Sequence, residues 1–200
     1  MLSEFLVFLR LGFEHIADVR GYDHILFIIA LCAGYEPRHW KKLLILVTAF
    51  TIGHSITLAL ATLRIIAIND PLVEFLIPLT IFLTAVLNIL VSSPGAGGVV
   101  EGKGARVARY FLALGFGLIH GMGFSNFLRS LLGAQEGIAL PLFAFNVGLE
   151  LGQILIVLAI MVLTFFMIRL ARMRRHDWVL VLSGAAAGVA LTLMLERLPG

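Results

Sequence analysis

The sequence predicts an all-α fold: a polytopic membrane helical bundle of six transmembrane helices, preceded by an N-terminal amphipathic (or short seventh) helix. Three observations carry this. Of the 200 residues, 60% are hydrophobic and only 14% charged, whereas an average soluble domain is about half apolar and about a quarter charged. The mean hydropathy is +1.02, which leaves too few polar groups to cover a water-soluble enzyme and excludes a disordered chain. The apolar runs approach the roughly 20 residues a helix needs to cross the hydrocarbon. They are too continuous for barrel strands, and only helices or closed barrels satisfy every backbone group in lipid.

Taken in order, residues 1–19 place Leu2, Phe5, Leu6, Leu9, Phe13 and Ile16 at helical spacing, interrupted by Glu4, Arg10, Glu14 and Asp18. The segment lacks the basic start and small-residue cleavage site of a secretory signal. It reads as an amphipathic helix at the outer interface, the alternative being a further short span that puts the N-terminus inside. Six spans follow in a single integral membrane domain over 22–197: residues 22–35, 41–63, 71–92, 108–132, 139–168 and 178–197. The first is short and the fifth long. Tyr35-Glu36-Pro37-Arg38 ends the first span, and Asn69-Asp70-Pro71 supplies a helix cap followed by proline. Ser92 to Gly104, glycine-rich and holding Pro94, is the longest loop. No internal repeat stands out. Gly184-Ala185-Ala186-Ala187-Gly188 reads as a close-packing surface.

Charge sets the orientation. The chain carries +3 with a pI of about 9.4. Arg38, Lys41 and Lys42 follow span one, Lys103, Arg106 and Arg109 follow span three, and Arg169, Arg172, Arg174 and Arg175 follow span five. The positive-inside rule places these loops in the cytoplasm and both termini outside. The excess therefore reports topology and implies no nucleic acid. Cys32 is the only cysteine, so neither an intrachain disulfide nor a cysteine-rich metal site can form.

Ionisable side chains within spans are costly and mark function by default. His15, Asp23 and His24 gather around the start of span one, where a capping aspartate beside an interfacial histidine is the plainer reading. His54 lies within span two, sharing a face with Thr51 and Ser55. His120 lies in span four, flanked by Gly117 and Gly121, a pair that also permits close helix approach. Asn146, Glu150 and Gln153 form one face of span five, and a buried glutamate there needs a cation or a proton. Thr80, Thr84 and Asn88 make a weaker polar stripe on span three.

Depth joins the groups. At about 1.5 Å per residue, His24 sits near the outer surface, His54 about nine residues in, Glu150 about eleven and His120 about twelve. Imidazole with carboxylate suits a divalent transition metal, whereas magnesium and calcium prefer oxygen shells. A shared cation held by His15, Asp23, His24, His54, His120 and Glu150, with Asn146 and Gln153 supporting, is the best single explanation.

The motifs resemble a known family. His15 with Gly21-Tyr22-Asp23-His24-Ile25-Leu26-Phe27, then Phe50-Thr51-Ile52-Gly53-His54-Ser55-Ile56-Thr57-Leu58, then Gly117-Leu118-Ile119-His120-Gly121-Met122-Gly123-Phe124, then Phe145-Asn146-Val147-Gly148-Leu149-Glu150-Leu151-Gly152-Gln153 are similar, in order, to the signature blocks of the HupE/UreJ proteins. The resemblance implies a bacterial inner-membrane protein tied to nickel or cobalt supply.

Two activities fit. The first is a nickel/cobalt-type metal-ion permease: Asp23 and His15 attract the ion, His24, His54, His120 and Glu150 hold it, and Thr80, Thr84 and Asn88 lead it inward. A permease must also release its cargo, and three histidines with a carboxylate hold tightly. The second is an intramembrane zinc-dependent hydrolase acting on a lipid or lipidated substrate, with Asp23 or Glu150 as general base and Ser55 placing the substrate. Neither reading chooses among nickel, cobalt and zinc. The expected partners are the lipid bilayer and the metal ion, with a homo-oligomer left open.

Overall fold

Eight α-helices follow one another in the computed structural model, which describes residues 2–92, 103–132 and 137–198. The glycine-rich stretch 93–102, with Pro94, lies outside the described residues. They are α1 (Leu2–Ala17), α2 (Asp23–Ala33), α3 (Trp40–Thr62), α4 (Asp70–Val91), α5 (Lys103–Gly123), α6 (Ser125–Leu132), α7 (Ala139–Phe165) and α8 (Arg175–Glu196). Local chemistry sets the ends. Asp18 Oδ1 accepts from the Arg20 N–H at 2.9 Å, turning the chain after α1. Asn69 caps α4 by accepting from the Leu72 N–H, with Pro71 in the first turn.

Among the described residues, four helical stretches are long and apolar enough to cross a membrane: Pro37–Thr62, Asp70–Val91, Ala139–Leu170 and Arg175–Glu196. A fifth candidate is bent by 49° between Val107–Gly123 and Ser125–Leu132. These coincide with five of the six expected spans. The remaining one, α2, has 11 residues. It reaches about 16 Å at 1.5 Å per residue, short of a hydrocarbon core about 30 Å thick.

The bundle is assembled from helix pairs welded by glycine. A Cβ on Gly12 of α1 would overlap the Phe145 carbonyl oxygen of α7, and one on Gly148 would overlap the Leu9 carbonyl oxygen. The same reciprocal contact joins α3 to α5, where Gly117 faces the Phe50 carbonyl and Gly53 the Leu114 carbonyl. Small residues let helix backbones touch, and here they do so twice in one pattern.

The sequence repeats with the contacts, contrary to the expectation of no repeat. Leu9-x-x-Gly12-x-x-His15 matches Leu114-x-x-Gly117-x-x-His120, and Ala49-Phe50-x-x-Gly53 matches Ala144-Phe145-x-x-Gly148. The matching positions are few and lie scattered among residues that differ between the helices, which hides the correspondence until the contacts are seen.

Within each pair the helices run parallel. Gly121 lies beside His54 and Thr57 while Gly53 lies beside Leu114 and Leu118; Gly152 lies beside Phe13 and Ile16 while Gly12 lies beside Phe145 and Leu149. The two pairs run in opposite directions, since Trp40 at the start of α3 and Phe165 at the end of α7 line one groove. Helices α4 and α8 form the third pair, antiparallel, with α2 against both; Ser92 after α4 hydrogen-bonds His176 at the start of α8 at 2.8 Å. Gly184 and Gly188 take no part in close packing: a Cβ at either meets nothing within 4 Å. Their spacing puts them on the outer side of α8, whereas Ala186 and Ala190 are the residues it buries.

Candidate metal centre

The glycine contacts decide where the histidines meet. His15 is in the last turn of α1, three residues beyond Gly12, and His120 in the last turn of α5, three beyond Gly117. His54 follows Gly53 in α3, and His24 is the second residue of α2. One ligand nitrogen each from His15, His24 and His54 lies within 4.8 Å of the others. Ring centroids stand 4.7 Å apart for His15 and His24, and 6.0 Å from each of these to His54. His120 adjoins the triad without belonging to the group within 4.8 Å, its centroid 5.1 Å from that of His24.

The nitrogens are buried and unsatisfied. His54 is fully buried and His120 only 1% exposed. Nε2 of His15 and of His24, both ring nitrogens of His54 and Nδ1 of His120 have no hydrogen-bond partner among the described residues. A buried polar atom left unpaired costs about 1–3 kcal/mol, so several at one point need an explanation outside the chain. Neutral imidazole nitrogens fit a divalent transition metal. Nitrogens ligating one tetrahedral ion at about 2.1 Å stand about 3.4 Å apart, so separations of up to 4.8 Å shorten by at most about 1.4 Å when the triad closes on a cation.

Phenylalanines enclose the cluster. Phe124 lies 3.9 Å from the His15 ring between centroids, Phe145 stacks on Phe124 at 5.2 Å, and Phe50 lies 5.1 Å from His120. A cavity of about 300 Å³ reaches the histidines, lined by His15, His24 and His120 with Asp18, Asp23, Glu74 and Arg197 at its mouth. The sequence reading passed over Asp18, Glu74, Arg197 and the phenylalanines. Phe50, Phe124 and Phe145 lie inside the quoted signature blocks, and that was the available signal.

The carboxylates are placed differently from the histidines. Asp23 pairs with Arg197 at 3.1 Å. Glu150 accepts a hydrogen bond from the Thr48 hydroxyl at 2.6 Å on the seam between α3 and α7. Thr51 donates to Gln153 Oε1 at 2.7 Å, while Gln153 Nε2 and Asn146 Oδ1 are buried without partners among the described residues. Neither carboxylate is in the histidine group. The Ser55 hydroxyl is bonded to the Thr51 carbonyl at 2.6 Å. Thr80 touches His120 at 3.0 Å, and Thr84 and Asn88 line a smaller cavity with Arg109.

A protein-family description, HupE / UreJ protein, matches residues 1–197. No curated protein and no solved structure matches the chain. The family match takes in every helix that carries a clustered histidine, together with α4 and α8 that support them, so the chain belongs to the HupE/UreJ family.

Proposed function

We propose that this chain is a permease for a divalent transition-metal ion such as nickel or cobalt, with the metal as its cargo. The observation that carries the reading is the convergence of unpartnered imidazole nitrogens from three helices, at the foot of a cavity with acidic residues at its mouth. Asp18, Asp23 and Glu74 attract the cation, and His15, His24, His54 and His120 replace part of its hydration shell. A site of neutral nitrogens binds less tightly than one that adds a charged oxygen. Leaving Glu150 and Asp23 outside the cluster therefore eases the release that transport requires. From His120 the polar stripe of Thr80, Thr84 and Asn88 continues toward the basic end of α5, and we assign the inward route to it.

The hydrolase reading is disfavoured by the same geometry. The carboxylates it assigns as general base, Asp23 or Glu150, are engaged by Arg197 and Thr48. In the bilayer, α1 and α2 act as one broken crossing, giving six crossings with the basic loops cytoplasmic. The metal site then faces the outer side of the inner membrane.

Proteoliposomes holding the purified chain should accumulate nickel, and His54→Ala should abolish uptake while leaving the protein monodisperse. A wild-type protein that retains one tightly bound ion but moves none across the bilayer would falsify the transport reading.

A further inference from the structure

The Thr80 hydroxyl carries one hydrogen and meets two partners. It lies 2.7 Å from the Ile77 carbonyl oxygen and 3.0 Å from His120 Nε2. A carbonyl oxygen only accepts, and two oxygens 2.7 Å apart repel unless a hydrogen lies between them, which places the hydroxyl hydrogen toward Ile77. Thr80 is then left with lone pairs toward His120, and Nε2 must be the nitrogen that carries the ring proton. In a neutral imidazole the other nitrogen is then a bare lone pair. That nitrogen, Nδ1, is buried and without a partner among the described residues, on a ring 1% exposed and set beside the ring of His24.

The geometry points to Thr80 as a positioning residue: by accepting the Nε2–H of His120 it fixes the tautomer that offers Nδ1 to the metal as a fourth nitrogen. The assignment rests on the metal-centre reading above and sharpens it to an atom. Histidines that bind metals characteristically give their second N–H to an oxygen that fixes ring and tautomer, and losing that oxygen costs about 10–100-fold in affinity. Phe27 and Phe50, with centroids 5.4 and 5.1 Å from the His120 ring, pack against it and limit its rotation. The hydroxyl therefore chooses between two protonation patterns in an orientation that packing has already set.

The test is nitrogen NMR of the full chain in lipid nanodiscs with labelled histidines, titrated with Zn2+ as a diamagnetic probe. Without metal, His120 should show its proton on Nε2; with Zn2+, its Nδ1 should shift. Thr80→Val should lose the fixed tautomer and weaken Zn2+ binding by about 10–100-fold, and Thr80→Ser should restore both. A His120 protonated on Nδ1 in the metal-free wild type overturns the assignment, as does a Thr80→Val protein with wild-type tautomer and affinity. If Zn2+ moves the signals of His15, His24 and His54 but leaves His120 unchanged, this assignment falls alone. If no histidine responds, the metal centre falls with it.

Discussion

Arg197 is, among the described residues, the one Lys or Arg lining the cavity that leads to the histidines, and it pairs with Asp23 at 3.1 Å, the two side chains 29% and 16% exposed. Arg197→Gln leaves Asp23, Asp18 and Glu74 facing the mouth without that counter-charge, which raises the local concentration of a divalent cation. Charges at a rim act mainly on encounter rate and salt dependence. Initial nickel uptake by Arg197→Gln should therefore rise roughly tenfold at low salt and fall back as salt is added, while Asp23→Asn should slow it. Uptake in Arg197→Gln that matches wild type at every ionic strength removes the mouth from the mechanism. At this scale the four histidines were legible in the sequence, because an imidazole in an apolar run has few other uses. The partners of the carboxylates were not. Helical spacing puts Asn146, Glu150 and Gln153 on one face but does not say which neighbouring helix that face meets. The bonds from Thr48 to Glu150 and from Thr51 to Gln153 each join residues 102 positions apart.

Helix pairs explain why the ligands converge at all. His15 and His120 occupy equivalent places in two copies of one arrangement, each three residues past a glycine pressed on a neighbouring backbone. Gly53→Ala or Gly148→Ala drives a methyl into a carbonyl oxygen on another helix. Backbone cannot rotate aside as a side chain does, so the helices must part, at a cost of about 1–3 kcal/mol or more. Both variants should melt earlier than wild type in detergent, read by thermal unfolding, and should bind metal weakly although every ligand is present. Gly184→Ala and Gly188→Ala, with open space around the added carbon, should melt at or slightly above wild type, since alanine favours a helix by about 1 kcal/mol over glycine. Equal melting of Gly53→Ala and Gly188→Ala would remove the welded pairs from the account. Hydropathy and caps located these helices closely. Their pairing escaped because a glycine's use for close approach depends on what faces it: Gly-x-x-x-Gly spacing marks real contacts at Gly117 and Gly121 and an open surface at Gly184 and Gly188.

For the whole molecule, the directions of the helices make a statement about sidedness. Helix α1 runs parallel to α7. Helix α2 starts at Asp23, tied to Arg197 just past the end of α8, and its Ala30 carbonyl accepts from Asn88 late in α4. Since α8 ends on the side where α4 begins, α2 descends with α4. Both halves of the N-terminal segment thus run the same way, separated by the turn at 18–22, as the proposed single crossing in two pieces requires. The N- and C-termini then share one side and the loops at Arg38 and Arg172 the other, and the proposed orientation makes the first of these the outer side. The only native cysteine, Cys32, is buried and can be replaced by alanine to give a background for single-cysteine labelling. In intact cells, a membrane-impermeant maleimide should reach Ser3→Cys and Leu198→Cys directly, and Arg38→Cys and Arg172→Cys only after permeabilisation. Labelling of Leu198→Cys with protection of Ser3→Cys makes α1 a crossing of its own and ends the broken-span account. Labelling of all four positions in the opposite sense turns the bundle over, so that the cavity with Asp18, Asp23 and Glu74 opens to the cytoplasm and the direction of transport reverses with it.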